Sequence, residues 1–202
     1  MPALSAALSP GEALSGDAVE PGDEALMQRF GAGDAAAFDA LYERHRGPLY
    51  RFIQRQCANR ALAEELFQDV WMSLIAARER YRHEAKFTTY LYTLARHRVI
   101  DHLRRQGVRS QIHAEGDEDA MESAPASTPT PEAQLEASRN VGRVLALVES
   151  LPTAQREVIL LRAEAGMSIE EIAAVTMAER ETVKSRLRYA MDKLKRGMEG
   201  WL

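Results

Sequence analysis

Residues 168–196 read SIEEIAAVTMAERETVKSRLRYAMDKLKR. Ser168 followed three positions later by Glu171 is a capping box, in which each side chain satisfies a backbone N–H that helix geometry leaves unpaired. A short helix therefore starts here and gives way to a turn around Thr176 to Glu179. A longer helix follows, with Val183, Leu187, Ala190 and Leu194 on its inward face. Short helix, brief turn and longer helix make a helix-turn-helix layout, whose second helix is shaped to enter a major groove. Arg180, Glu181, Lys184, Ser185 and Arg188 recur every three to four residues on the outer face. Lysine and arginine there reach phosphates or guanine edges. From Arg180 to Arg196 seven bases stand against two acids. A basic helix is as often a plain solvated face, so this stretch alone leaves a DNA role open.

Upstream, Val141, Val144, Leu145 and Val148 mark an amphipathic helix, and Leu151-Pro152 puts proline in the first turn of the next. Val158, Ile159, Leu161 and Arg162 carry that helix to Gly166, a C-terminal cap. Between about Gly107 and Glu132, Gly107, Gly116, Pro125, Pro129 and Pro131 sit among Ser, Thr and acids with no helical stripe, which predicts a linker. Before it lies a second helical block. Asp34 starts a helix through Phe38, Leu41, Tyr42 and His45, and Gly47-Pro48 is expected to reset the chain before Leu49, Phe52 and Ile53. Cys57 is expected on a helix, and Asn59 caps a stripe of Leu62, Leu66, Val70 and Leu74 beside Phe67, Trp71 and Ile75. Thr88 or Thr89 is the expected cap of a last helix with Leu91, Leu94, Ala95, Val99 and Leu103 inward and Arg96, Arg98, Arg104 and Arg105 outward. No alternating β-branched run argues for strands. The expected fold is all-α, two small helical domains joined by a flexible acidic linker: leader 1–24, first domain 25–107, linker 108–134, second domain 135–200.

The composition of the 202 residues, 46% hydrophobic and 28% charged, suits a soluble globular chain. No apolar run approaches the roughly 18 residues of a membrane span, and the N-terminus lacks a signal-peptide pattern, so the expected location is the cytoplasm, without membrane insertion. One cysteine excludes an internal disulfide, and the five histidines offer no i, i+4 pair, so no metal site is expected. The net charge of −4 is unevenly spread. Five acids and no base lie between Met1 and Glu24, and seven acids and no base between Ala114 and Ser138, which leaves a surplus of eight positive charges elsewhere. Such patches are the electrostatic footprint of a phosphate-binding surface. Arg78–Arg105 has eight bases against three acids, with Tyr81, Phe87, Tyr90 and Tyr92 interleaved, a mixture suited to single-stranded DNA. The alternative is that these aromatics only pack the loop onto the domain. No phosphate-cradling glycine loop, activated cysteine or paired carboxylates appear, so no catalytic residue and no cofactor is expected.

Taken in order, Ala63-Glu64-Glu65-Leu66-Phe67-Gln68-Asp69-Val70-Trp71, Phe87-Thr88-Thr89-Tyr90-Leu91-Tyr92-Thr93-Leu94-Ala95-Arg96, Asp101-x-x-Arg104-Arg105, Leu151-Pro152-x-x-Gln155-Arg156-Glu157-Val158, Glu171-Ile172-Ala173 and Thr182-Val183-Lys184-Ser185-Arg186-Leu187 resemble the extracytoplasmic-function (ECF) group of sigma-70-type factors. The resemblance covers nearly all of 25–107 and 135–197. It implies a factor that binds core RNA polymerase and directs initiation at selected promoters, with the domains as sigma regions 2 and 4. Glu65, Gln68 and Asp69 would then meet the polymerase clamp. Phe87, Arg96, His97, Asp101 and Arg104 would handle the upstream edge of the melted minus-ten element, and Arg180, Lys184, Ser185 and Arg188 would read the minus-thirty-five element. The group is also commonly held by an anti-sigma protein. The linker would set the reach between the domains.

The chain departs from the group's pattern at four positions: Met177 and Glu181 replace common glycines, and Tyr90 and His97 replace a common tryptophan and asparagine. A non-glycine residue in a left-handed turn costs about 1 kcal/mol, which predicts an altered turn at Met177. Glu181 suits the helix dipole but repels phosphate. Two other readings use the same residues: an ordinary DNA-binding regulator with residues 132–202 as reader, and a helical adaptor for which the basic segments are incidental. Association with core polymerase separates them from the first.

Overall fold

The computed structural model describes residues 21–57, 59–83, 85–105 and 132–199. Among them the elements are helices: α1 (Asp23–Gly31), α2 (Ala35–Gln54), α3 (Arg60–Ala77), a 3-10 turn (Arg78–Arg80), α4 (Phe87–Arg105), α5 (Glu132–Glu149), α6 (Thr153–Glu164), α7 (Ile169–Thr176) and α8 (Arg180–Met198). Residues 1–20 of the expected leader and 108–131 of the expected linker lie outside the described residues. The first helix begins at Asp23, two residues inside the expected leader, and α5 at Glu132, three residues inside the expected linker.

The first unit is α1–α4. Asp34 accepts a hydrogen bond from the Ala37 N–H and Asn59 from the Leu62 N–H, so both caps lie where their side chains place them. Three expectations fail here. Gly47-Pro48 does not divide the helix: α2 runs unbroken through Pro48. Proline removes one N–H donor, but burial of Leu41 on one side and Leu49, Phe52 and Ile53 on the other holds the segment helical. Cys57 lies past the end of α2. The start of α4 is not capped from Thr88 or Thr89 either. The helix begins at Phe87, and its N–H donates to Glu24 Oε1 of α1 at 2.9 Å. Asp23 beside it accepts from Arg44 (2.9 Å) and pairs with His45 (2.7 Å), so two acids of the expected leader tie α1 to α2 and α4. The unit's core combines Val70, Leu74, Leu91, Ala95 and Val99 with Phe38, Tyr42, Phe67 and Trp71, whose rings meet at 4.9–6.3 Å.

The second unit is α5–α8. Gly166 takes a left-handed φ of 64° after α6, and both bonds of the Ser168/Glu171 box are made, at 2.7 and 3.2 Å. Ile172, Val175, Val183, Ala190 and Leu194 form the interior of the helix-turn-helix. Met177 contradicts the expected altered turn. It adopts φ 53° and ψ 38°, the ordinary left-handed cap, with its side chain 75% exposed. The Thr176 hydroxyl, bonded to the Ile172 carbonyl at 2.7 Å, and the Ala178 N–H, bonded to the Ala173 carbonyl at 3.2 Å, hold the turn in place.

The two units pack together, α4 against α7 and α2 against α6, and one apolar core runs through both.

Candidate nucleic-acid interface

On α8 the expected reading face is open to solvent. Arg180, Lys184 and Arg188 are exposed and Ser185 is half-buried, opposite the buried Val183 and Ala190. Each base has a local partner: Arg180 pairs with Glu170, Lys184 with Glu181 at 2.7 Å, and the Arg188 guanidinium lies 5.1 Å from the Tyr189 ring. Lys184, donating to Glu181, holds that carboxyl below its usual range. Surface pairs of this kind contribute little to stability.

On α4 the structure divides the five expected minus-ten residues. His97, Asp101 and Arg104, spaced four and three apart, share one helical face; His97 and Arg104 are exposed and Asp101 is half-buried. Phe87 is not with them. Its side chain is fully buried, with its ring 5.2 Å from His45. Tyr92 is buried against Phe52, while Tyr81 and Tyr90 meet edge-on at 5.3 Å, so packing accounts for these aromatics in this arrangement. Arg96 contradicts the outward direction expected for it. It is 7% exposed and its Nε donates to Glu157 of α6 at 2.9 Å. Arg98 also turns inward, donating to Ser73 of α3 at 2.6 Å.

Glu65, Gln68 and Asp69 stand together on the exposed face of α3, joined one turn on by the exposed Met72. The Ser73 hydroxyl that receives Arg98 donates to the Asp69 carbonyl at 2.5 Å, so α4 braces this face from behind.

One feature was not legible in the sequence. Four bases of the first unit meet three acids of the second: Arg51 and Arg55 with Glu164, Lys86 with Glu171 (2.8 Å) and Arg96 with Glu157. Burial outweighs the pull of Arg96 and pushes the Glu157 carboxyl up, while Lys86 draws the Glu171 carboxyl down. Glu157 and Glu164 lie seven apart on α6, hence on one face, but that spacing reads equally well as a solvated stripe. Among the described residues no group of three or more His, Cys, Asp or Glu is placed to hold a metal ion, and no helix is long and apolar enough to cross a membrane.

An exposed acidic helix face, a basic helix-turn-helix and an intervening basic helix on two all-α units define a DNA-binding factor of the sigma type. The sigma-70 region 2 model matches residues 41–109 and the sigma-70 region 4 model residues 142–194. The chain belongs to the extracytoplasmic-function subfamily of sigma-70 RNA polymerase sigma factors. It is 29% identical to the RNA polymerase sigma factor CarQ of Myxococcus xanthus over 169 residues, 84% of this chain and 93% of that one. It is also 29% identical to the ECF sigma factor SigE of Mycolicibacterium smegmatis over 184 residues, 89% of this chain and 70% of that one. Its fold is similar to CnrH in complex with the cytosolic domain of CnrY (TM-score 0.64, 22% identity, 88% of this chain and 97% of that one). It is similar too to the sigma factor RpoE in complex with the anti-sigma factor NepR from Bartonella quintana (TM-score 0.60, 22% identity, 80% and 96%).

Proposed function

We infer that this protein binds core RNA polymerase and directs initiation at promoters with a minus-ten and a minus-thirty-five element. The observation that carries the reading is the occurrence, in family order, of the Glu65, Gln68 and Asp69 face and the Arg180, Lys184 and Arg188 face on separate units. In this reading the acids of α3 meet basic residues of the polymerase clamp. His97, Asp101 and Arg104, with Arg96 and Phe87 once accessible, meet the upstream edge of the melted minus-ten element. Arg180, Lys184, Ser185 and Arg188 meet the minus-thirty-five element. Neither DNA contact need be strong alone, because docking on one polymerase raises the effective concentration of each over its element. The action is non-enzymatic and cytoplasmic. An anti-sigma protein is the expected regulator; the structural relatives CnrH and RpoE were each solved with a partner, named as an anti-sigma factor for RpoE.

Transcription in vitro from a genomic library, with core polymerase and with or without this chain, tests the reading. New starts sharing two upstream elements, lost with Lys184→Ala plus Arg188→Ala or with Asp69→Arg, are expected. Absence of new starts together with no binding to core polymerase would replace this reading with that of a simple DNA-binding regulator.

A further inference from the structure

We propose that Glu181 and Lys184 act together as a two-headed reader of a single cytosine–guanine pair in the minus-thirty-five element, the carboxylate accepting from cytosine N4 while the ammonium donates to guanine O6 and N7. The proposal rests on the initiation-factor reading and deepens it by assigning a base pair to Glu181, a residue with no part in that reading.

Both residues lie on the open side of α8, three positions apart and close to its start, the part of a recognition helix that approaches base edges. Lys184 Nζ donates to Glu181 Oε1 at 2.7 Å, so a cation and an acceptor are presented side by side. The Glu181 side chain is 79% exposed, so the fold does not use it for packing. Arg180, the other cation beside it, is engaged by Glu170 of α7. Lys184, more than Arg180, holds the Glu181 carboxyl below its usual range. At neutral pH it is therefore ionised and can only accept hydrogen bonds.

That chemistry selects a base pair. In the major groove the donors open to a carboxylate are cytosine N4 and adenine N6. Adenine N6 is flanked by N7, an acceptor that repels the carboxylate, and the thymine opposite offers a cation one acceptor, O4, beside a methyl group. Cytosine N4 has no acceptor next to it on its own base, and the guanine opposite offers both O6 and N7. Base pairing holds N4 and O6 one hydrogen-bond length apart, about 2.9 Å, close to the 2.7 Å between Lys184 Nζ and Glu181 Oε1. The ion pair lies over that edge with donor facing acceptor at both ends, and neither partner gives up the other. In any other arrangement the carboxylate meets or adjoins an acceptor, which weakens binding to the wrong sequence. A carboxylate in the first turn also offsets the helix dipole, but that role is indifferent to DNA sequence.

The test is transcription by the full chain on core polymerase from barcoded templates that share one mapped minus-ten element and carry a randomised minus-thirty-five element. Wild type is expected to favour cytosine–guanine over adenine–thymine at one position by about tenfold. Glu181→Gln, whose amide reads adenine through N6 and N7, should turn that position toward adenine–thymine and leave the others as they were. Glu181→Gly should flatten it, and Lys184→Ala should weaken the preference at the same position. Glutamine keeps the helix, so Glu181→Gln carries the test even where glycine loosens α8. Profiles unchanged in both Glu181 variants would overturn the proposal and leave Glu181 as a dipole partner. Effects of Glu181 and Lys184 at different positions, or a responding position that favours another pair, would overturn it too. A wild-type holoenzyme that selects no sequence overturns the initiation-factor reading and the proposal with it, whereas selection that ignores Glu181 overturns the proposal alone.

Discussion

Met177 shows how a single residue is held in a conformation its own chemistry disfavours. A left-handed backbone costs a non-glycine residue about 1 kcal/mol, and in this geometry the Ala178 N–H reaches back across Met177 to the Ala173 carbonyl, which offsets that cost. Met177→Gly should therefore stabilise the chain, by somewhat less than about 1 kcal/mol because glycine also gains freedom when unfolded, as a raised urea midpoint at unchanged slope. Asp23 is the second residue whose role depends on its neighbours. The hydrogen bond from His45, and after it that from Arg44, holds its carboxyl below the ordinary 3.8. A carboxyl depressed on folding adds stability above its unfolded value, and that stability is lost as pH falls through the folded value. His45→Ala removes the largest of these influences and should move the Asp23 titration seen by NMR upward.

At the scale of elements, α4 joins sites that sequence treats separately. Its N-terminus is capped by Glu24 from α1, its middle supplies Arg96 to the seam and Arg98 to the back of α3, and its end carries Asp101 and Arg104. Glu24→Ala leaves the Phe87 N–H without its acceptor and should cost about 1 kcal/mol, visible as faster amide exchange confined at first to the start of α4. Glu24→Gln, which keeps an acceptor oxygen, should recover much of the loss. The expected Thr88 or Thr89 cap was a sound local rule that lost to a partner 63 residues away, just as the proline signal in α2 lost to the core on both sides of it.

For the whole molecule, the buried Arg96–Glu157 pair at the seam adds little net stability, because desolvation offsets its attraction. Replacing Arg96 and Glu157 together by Met and Leu removes two desolvated charges and should leave thermal stability unchanged or raise it by about 1–4 kcal/mol, whereas Arg96→Ala alone strands Glu157 and should lower it. With Arg96 acting at the minus-ten element as proposed, transcription from a cognate promoter should fall in both variants. Thermal melts and run-off transcription on the same preparations check the divergence.

Most helices of both units followed from the sequence alone, because capping residues and the 3.6-residue stripe are local and repeated; α1 (Asp23–Gly31), where no helix was expected, and the unbroken course of α2 through Pro48 did not. The α8 face and the α3 acids were legible for the same reason: a helix turns linear spacing into a surface. Which way Arg96 points, what Phe87 touches, where α4 finds its cap and which acids meet Arg51 and Arg55 were decided only in the tertiary structure. Each of those depends on contacts between residues more than 40 positions apart, and a charged or aromatic side chain is equally compatible with solvent and with burial until its partner is in place.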